Sequence, residues 1–141
     1  MSGKDFSKKH PPDKKVIDSL AQAVRARAQE GEIPCAVAFE ISAKETVPPG
    51  EVGFTLDKLG IKVIKCQLGL YGYKPDKRIV KPAETVSSGL EKEIRNSLIN
   101  GRLPCAVSWE VAKQLGIRKM EVSAACETLG IKISACQLGS F

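Results

Sequence analysis

Leu103-Pro104-Cys105-Ala106-Val107-Ser108-Trp109-Glu110 repeats, seventy residues on, the pattern Ile33-Pro34-Cys35-Ala36-Val37-Ala38-Phe39-Glu40. The two copies also close alike, one with Leu59-Gly60-Ile61-Lys62-Val63-Ile64-Lys65-Cys66-Gln67-Leu68-Gly69, the other with Leu129-Gly130-Ile131-Lys132-Ile133-Ser134-Ala135-Cys136-Gln137-Leu138-Gly139. Residues 31–71 and 101–141 align without a gap and share 16 identities in 41 positions. A fixed-offset repeat speaks to architecture before any secondary-structure assignment. The 141 residues divide into two units of roughly 55–60 residues, near the lower limit for a self-supporting core. Packing of one copy against the other is the expected remedy.

The helical period appears at the same places in both copies. Leu20, Val24 and Ala28 recur at i, i+4 and i+8 before Gly31, as do Leu90, Ile94 and Leu98 before Gly101. A second helix is expected from near Pro34 or Pro104, because proline suits the first helical turn, and to run through Glu40 or Glu110. A third carries Val52, Leu56 and Leu59 in one copy and Val122, Cys126 and Leu129 in the other, a buried stripe ended by Gly60 or Gly130. Ile61-Lys62-Val63-Ile64 and Ile131-Lys132-Ile133-Ser134 then read as short strands. The expected fold is mainly α: two tandem three-helix units, each followed by a short β-strand. Their boundaries are 16–72 and 86–141, with a disordered tail over 1–15 and a linker over 73–85.

A hydrophobic content of 43% is ordinary for a soluble globular chain, and with aromatics at only 5% the cores must be built from aliphatic residues and cysteine. No apolar run approaches the ~20 residues of a membrane span, and the first fifteen residues carry no apolar signal region. The chain reads as cytoplasmic, with no membrane partner. Its net charge of +6 is unevenly placed. Five lysines against two aspartates give residues 1–15 a charge of +3, and Lys74, Lys77, Arg78 and Lys81 against Asp76 give residues 73–82 the same. The two repeat bodies are close to neutral. Basic segments beside neutral domains suit attraction to a phosphate backbone, with Lys8, Lys9, Lys74, Lys77 and Arg78 as the candidate contacts.

Ser108-Trp109-Glu110-Val111-Ala112-Lys113-Gln114-Leu115-Gly116-Ile117-Arg118-Lys119-Met120-Glu121-Val122-Ser123-Ala124-Ala125-Cys126-Glu127 resembles the helix-turn-helix of bacterial (winged-helix-like) DNA-binding proteins. Ala112 is small where the two helices would cross, Gly116 suits a turn that needs positive φ, and Val122 would anchor the second helix on the first. The resemblance implies a tandem helix-turn-helix protein that binds double-stranded DNA and regulates transcription. It also implies that the outward face of the second motif helix enters the major groove. By position that face is Arg118, Lys119, Met120, Ser123, Ala124 and Glu127, with Arg118, Lys119, Ser123 and Glu127 chemically able to meet bases or phosphates.

The first copy departs from this pattern. Thr46 stands where Gly116 stands and Ser42 where Ala112 stands. Its corresponding face (Pro48, Pro49, Gly50, Gly53, Phe54, Asp57) is poor in donors and would expose a phenylalanine. Phe54, Pro48 and Pro49 are therefore candidates for a contact with a partner chain or for homodimerisation. The five cysteines lack the close spacing of zinc or iron–sulfur sites, and the single histidine, His10, lies in the tail, so no metal site and no cofactor is expected. Without a nucleophile–base–acid constellation or a glycine-rich phosphate loop, the chain does not read as an enzyme. Two alternatives to a DNA-binding regulator stand beside it: a protein-interaction adaptor on the same scaffold, and a cysteine-based redox- or metal-responsive module.

Overall fold

A computed structural model describes residues 14–141; the expected tail contacts Lys8 and Lys9 lie outside the described residues. The protein is mainly helical, with short strands, and separates into two compact units. The first runs to Cys66 and takes in Gln137–Ser140; the second is Gln67–Cys136 with Phe141. The unit boundaries therefore differ from those of the repeat: Gln67 opens the second unit, and Gln137–Ser140 belong to the first.

In the first unit, α1 (Asp18–Arg27) buries Leu20, Ala21 and Val24. A two-residue turn follows, in which Gln29 and Glu32 exchange backbone hydrogen bonds of 2.8 and 3.0 Å around Glu30 and Gly31. Both central residues have positive φ, 53° and 76°, as a type I′ turn requires. The turn delivers β1 (Glu32–Pro34), which the periodicity did not reveal because it is three residues long. Pro34 caps α2 (Cys35–Glu45), a turn longer than expected from the sequence. Residues 46–48 then lead to α3 (Pro49–Leu59), which Gly60 closes at φ 70°. β2 (Lys62–Ile64) pairs with β1 in parallel, Ile33 opposite Val63. Parallel pairing needs a long crossover, and α2 with α3 provide it. Among the described residues the sheet of this unit is the parallel β1–β2 pair.

The second unit repeats the plan with α4 (Ser88–Asn96), β3 (Leu103–Pro104), α5 (Cys105–Leu115), α6 (Lys119–Leu129) and β4 (Ile133–Ser134), the strands again parallel. Asn100 and Gly101 form its type I′ turn, at φ 52° and 77°. Ile94, Leu103, Val111, Ala112, Val122, Ala125, Cys126 and Ile131 make one buried cluster. Complete burial of aliphatic side chains such as Ile94 and Val122 contributes about 1.5–3 kcal/mol each. The expected helical stripes are inside in part: Val52 and Val122 are fully buried and Leu56 and Cys126 are 1% exposed, whereas Leu59, Leu129, Leu90 and Leu98 are half-buried. No helix among the described residues is long and apolar enough to cross a membrane.

Candidate nucleic-acid interface

The face of α6 expected to meet DNA is largely occupied by the second unit's own residues 67–83. Gly69 lies against Met120, so closely that a Cβ on Gly69 would fall 3.1 Å from the Met120 Cε. One turn on, the Ala83 amide donates to the Ala124 carbonyl at 3.1 Å, and the Thr128 hydroxyl donates to the Ala83 carbonyl at 2.6 Å. Arg78 and Glu127 form an ion pair at 2.8 Å. Lys119 donates to the Gln67 amide oxygen at 3.3 Å while its ammonium stands 4.2 Å from the Trp109 ring centroid. Three expectations therefore need correction. Ser123 is fully buried, its hydroxyl without a hydrogen-bond partner, and reaches no base. Glu127 and Lys119 are engaged within the unit rather than offered outward.

Arg118 is the exception. It is the N-cap of α6, with an 85%-exposed side chain, and its guanidinium meets the Glu121 carboxylate at 3.1 Å. The Glu121 carboxylate also accepts from the Arg118 backbone amide at 3.2 Å. These contacts hold the Glu121 carboxyl below its usual range, the side-chain bond to Arg118 being the larger cause.

The basic linker is an anchored loop. The Gly69 carbonyl accepts from the amides of Ile79 and Val80 at 2.9 and 3.1 Å, and the Tyr73 amide donates to the Lys77 carbonyl at 3.0 Å. Gly69 itself has φ 76°, a conformation glycine adopts without strain. Val80 is buried at the loop's base, whereas Lys74, Lys77, Arg78 and Lys81 are all exposed. The backbone thus fixes four cations within eight residues, with Asp76 the only acid among them.

In the first unit, Phe54 is 1% exposed rather than outward. Lys14 caps its ring at 4.1 Å from the centroid, and Lys58 stands at 5.8 Å. Pro48 is exposed and Pro49 half-buried, so the expected donor-free patch has lost its phenylalanine. Beside Phe54, Gly53 is also buried, and a Cβ there would fall on the Leu138 carbonyl and 3.1 Å from its Cα. Sequence periodicity missed both coverings because the covering residues lie outside any helix. The signal that carried them was the four-residue motif Cys-Gln-Leu-Gly, identical in both copies although it lies beyond the last strand of each.

Cys35, Cys66, Cys105 and Cys126 are buried and Cys136 half-buried, and none of the five is in a disulfide. The Cys136 sulfur lies 3.9 Å from the Tyr71 hydroxyl. Burial, reinforced by the charge of Glu127, pushes the Cys126 thiol up to about 11, the opposite of the depressed value that makes a thiol reactive. Among the described residues no three His, Cys, Asp or Glu side chains converge to hold a metal. Comparison with family models, curated proteins and solved structures finds no match for this chain.

Proposed function

We propose that each unit is a helix-turn-helix, α2 with α3 and α5 with α6, and that the chain binds double-stranded nucleic acid through its phosphates rather than its bases. Support for the motif comes from the left-handed residues Thr46 and Gly116, at φ 56° and 66°, which end α2 and α5 three residues before the next helix begins. The binding reading rests on one observation: the anchored loop that keeps Lys74, Lys77 and Lys81 exposed, with Arg78 exposed beside them while paired to Glu127, next to a nearly neutral second repeat. Arg118, exposed at the start of α6, extends the same positive character. Base reading would require α6 to be free of residues 67–83, so a sequence-specific regulator is the less economical reading, whereas phosphate contact needs no such release. Five cysteines outside any disulfide fit a reducing, cytoplasmic setting.

Fluorescence anisotropy with two labelled duplexes of unrelated sequence, over a series of salt concentrations, tests this. Both duplexes should bind equally tightly, with log affinity falling linearly in log salt. Replacing Lys74, Lys77, Arg78 and Lys81 together by alanine should flatten that slope by about 3.6, at about 0.9 for each of the four lost phosphate contacts. Absence of binding at low salt, or an unchanged slope in the fourfold variant, would overturn the proposal.

A further inference from the structure

Both tyrosines of the chain, Tyr71 and Tyr73, stand immediately before the cations of the anchored loop. Aromatic residues make up only 5% of the sequence, so two rings within three positions are a local concentration. Tyr71 is engaged within the second unit, where its ring meets that of Phe141 edge-on, the centroids 6.0 Å apart. Tyr73 is half-buried and stands next to the exposed Lys74.

The backbone sets Tyr73 against a second cation. Its amide donates to the Lys77 carbonyl at 3.0 Å, and the two residues oppose each other as an antiparallel pair. Residues directly opposite in such a pair carry their side chains on one face, with Cβ atoms about 5 Å apart. A ring and an exposed ammonium therefore share one face of the loop. The long, flexible stem of a lysine lets its ammonium reach the phosphate of a nucleotide whose base lies on the neighbouring ring. Lys74 and Lys81, exposed on the same loop, stand ready for the phosphates on either side. Rings beside a cationic track suit unpaired nucleotides of any sequence, because every base has a π-face. A base stacked inside a continuous duplex does not offer that face.

We propose that the loop takes up an unpaired nucleotide, whose base stacks on Tyr73 while Lys77 holds the adjoining phosphate. This rests on the phosphate-binding reading above and adds the class of nucleic acid preferred: one with single-stranded tails or gaps rather than a continuous duplex. A blunt duplex meets the cations alone and binds more weakly.

Anisotropy titrations with two labelled duplexes of equal phosphate number, one blunt and one ending in single-stranded tails of mixed sequence, test the proposal. The tailed duplex should bind about tenfold more tightly, the range expected for one base stacked on an aromatic side chain. Tyr73→Phe should keep that preference, since the ring and not the hydroxyl carries it. Tyr73→Leu retains an apolar side chain for packing but offers no ring. With its helical circular dichroism intact, this variant should bind both duplexes as the parent binds the blunt one, at the same salt slope. Equal affinity of the parent for the two duplexes, or a Tyr73→Leu chain that keeps the preference, would overturn the stacking and leave the phosphate reading standing. Failure of both duplexes to bind at low salt would instead overturn the phosphate reading, and this inference with it.

Discussion

Thr46 and Gly116 occupy the same left-handed position between two helices, and the pair shows how far single residues disclose backbone geometry. Gly116 announces its turn in the sequence. Thr46 does not, yet it adopts φ 56°, because the helix packing on either side over-determines it. The Val47 amide donates to the Ser42 carbonyl at 3.1 Å, and the Ser42 hydroxyl to the Val47 carbonyl at 2.6 Å, which close the turn without glycine. Thr46→Gly should therefore raise the stability of the first unit by about 1 kcal/mol, the cost a Cβ incurs in the left-handed region. A shift of the urea midpoint at constant slope would measure it. Cys126 gives a second residue-scale test. Its thiol stays protonated in the fold up to about pH 11, against 9.0 as the ordinary value. The folded value is raised, so stability is intact below pH 9 and falls as the unfolded chain, but not the folded one, releases its proton. The loss should approach about 2–3 kcal/mol by pH 11. Alkaline unfolding curves of Cys126→Ala against the parent isolate that part: the variant should be the weaker protein at pH 7 and lose less of its stability between pH 9 and 11.

At the scale of elements the helices were readable and the strands only partly so. A stripe such as Val122, Cys126 and Leu129 repeats over about two turns and survives substitution of one member. By contrast, β1 and β3 are two or three residues long and end on proline, too short to show any alternation. The direction of the α6 face was also legible, but not what lies on it. Helical spacing places Met120 and Glu127 on one outward face, yet only the folded chain brings Gly69 and Arg78 against them. Caps distinguish the corresponding first helices of the two units. α4 begins at Ser87, whose hydroxyl accepts from the Leu90 amide at 3.2 Å, whereas α1 begins at Ile17 with no side-chain cap. Ser87→Ala should destabilise the second unit by about 1 kcal/mol. Hydrogen exchange should localise the loss to the first turn of α4 and leave α1 unchanged.

For the whole molecule, charge location was the most transferable sequence reading. The four cations between Lys74 and Lys81 are exposed, although the segment that carries them is an anchored loop rather than a free linker. What sequence could not convey is that repeat boundaries and spatial boundaries differ. Gln67 and Gln137 each begin the stretch that changes units, and a linear alignment assigns both to the copy they follow. The identity of Cys-Gln-Leu-Gly in the two copies is explained by this placement: Leu68 and Leu138 are both buried at 3% exposure or less. A short motif retained outside any helix or strand thus marked a packing role before any fold was visible.

The two type I′ turns carry a further consequence, in chemical lifetime. Asn100-Gly101 is the pair best suited to two successive positive φ angles, and it is also a pair whose side-chain amide is readily attacked by the following backbone nitrogen. That attack expels ammonia and closes a succinimide, and hydrolysis of the ring leaves aspartate or isoaspartate. Both residues are exposed. The first copy carries Glu30-Gly31 in the same turn and has no amide to lose. Protein stored at mildly alkaline pH should accumulate an acidic species, and peptide mapping should assign the new charge to Asn100. Asn100→Glu, the residue of the first copy, should abolish that species. The second unit therefore combines the better turn with the shorter shelf life.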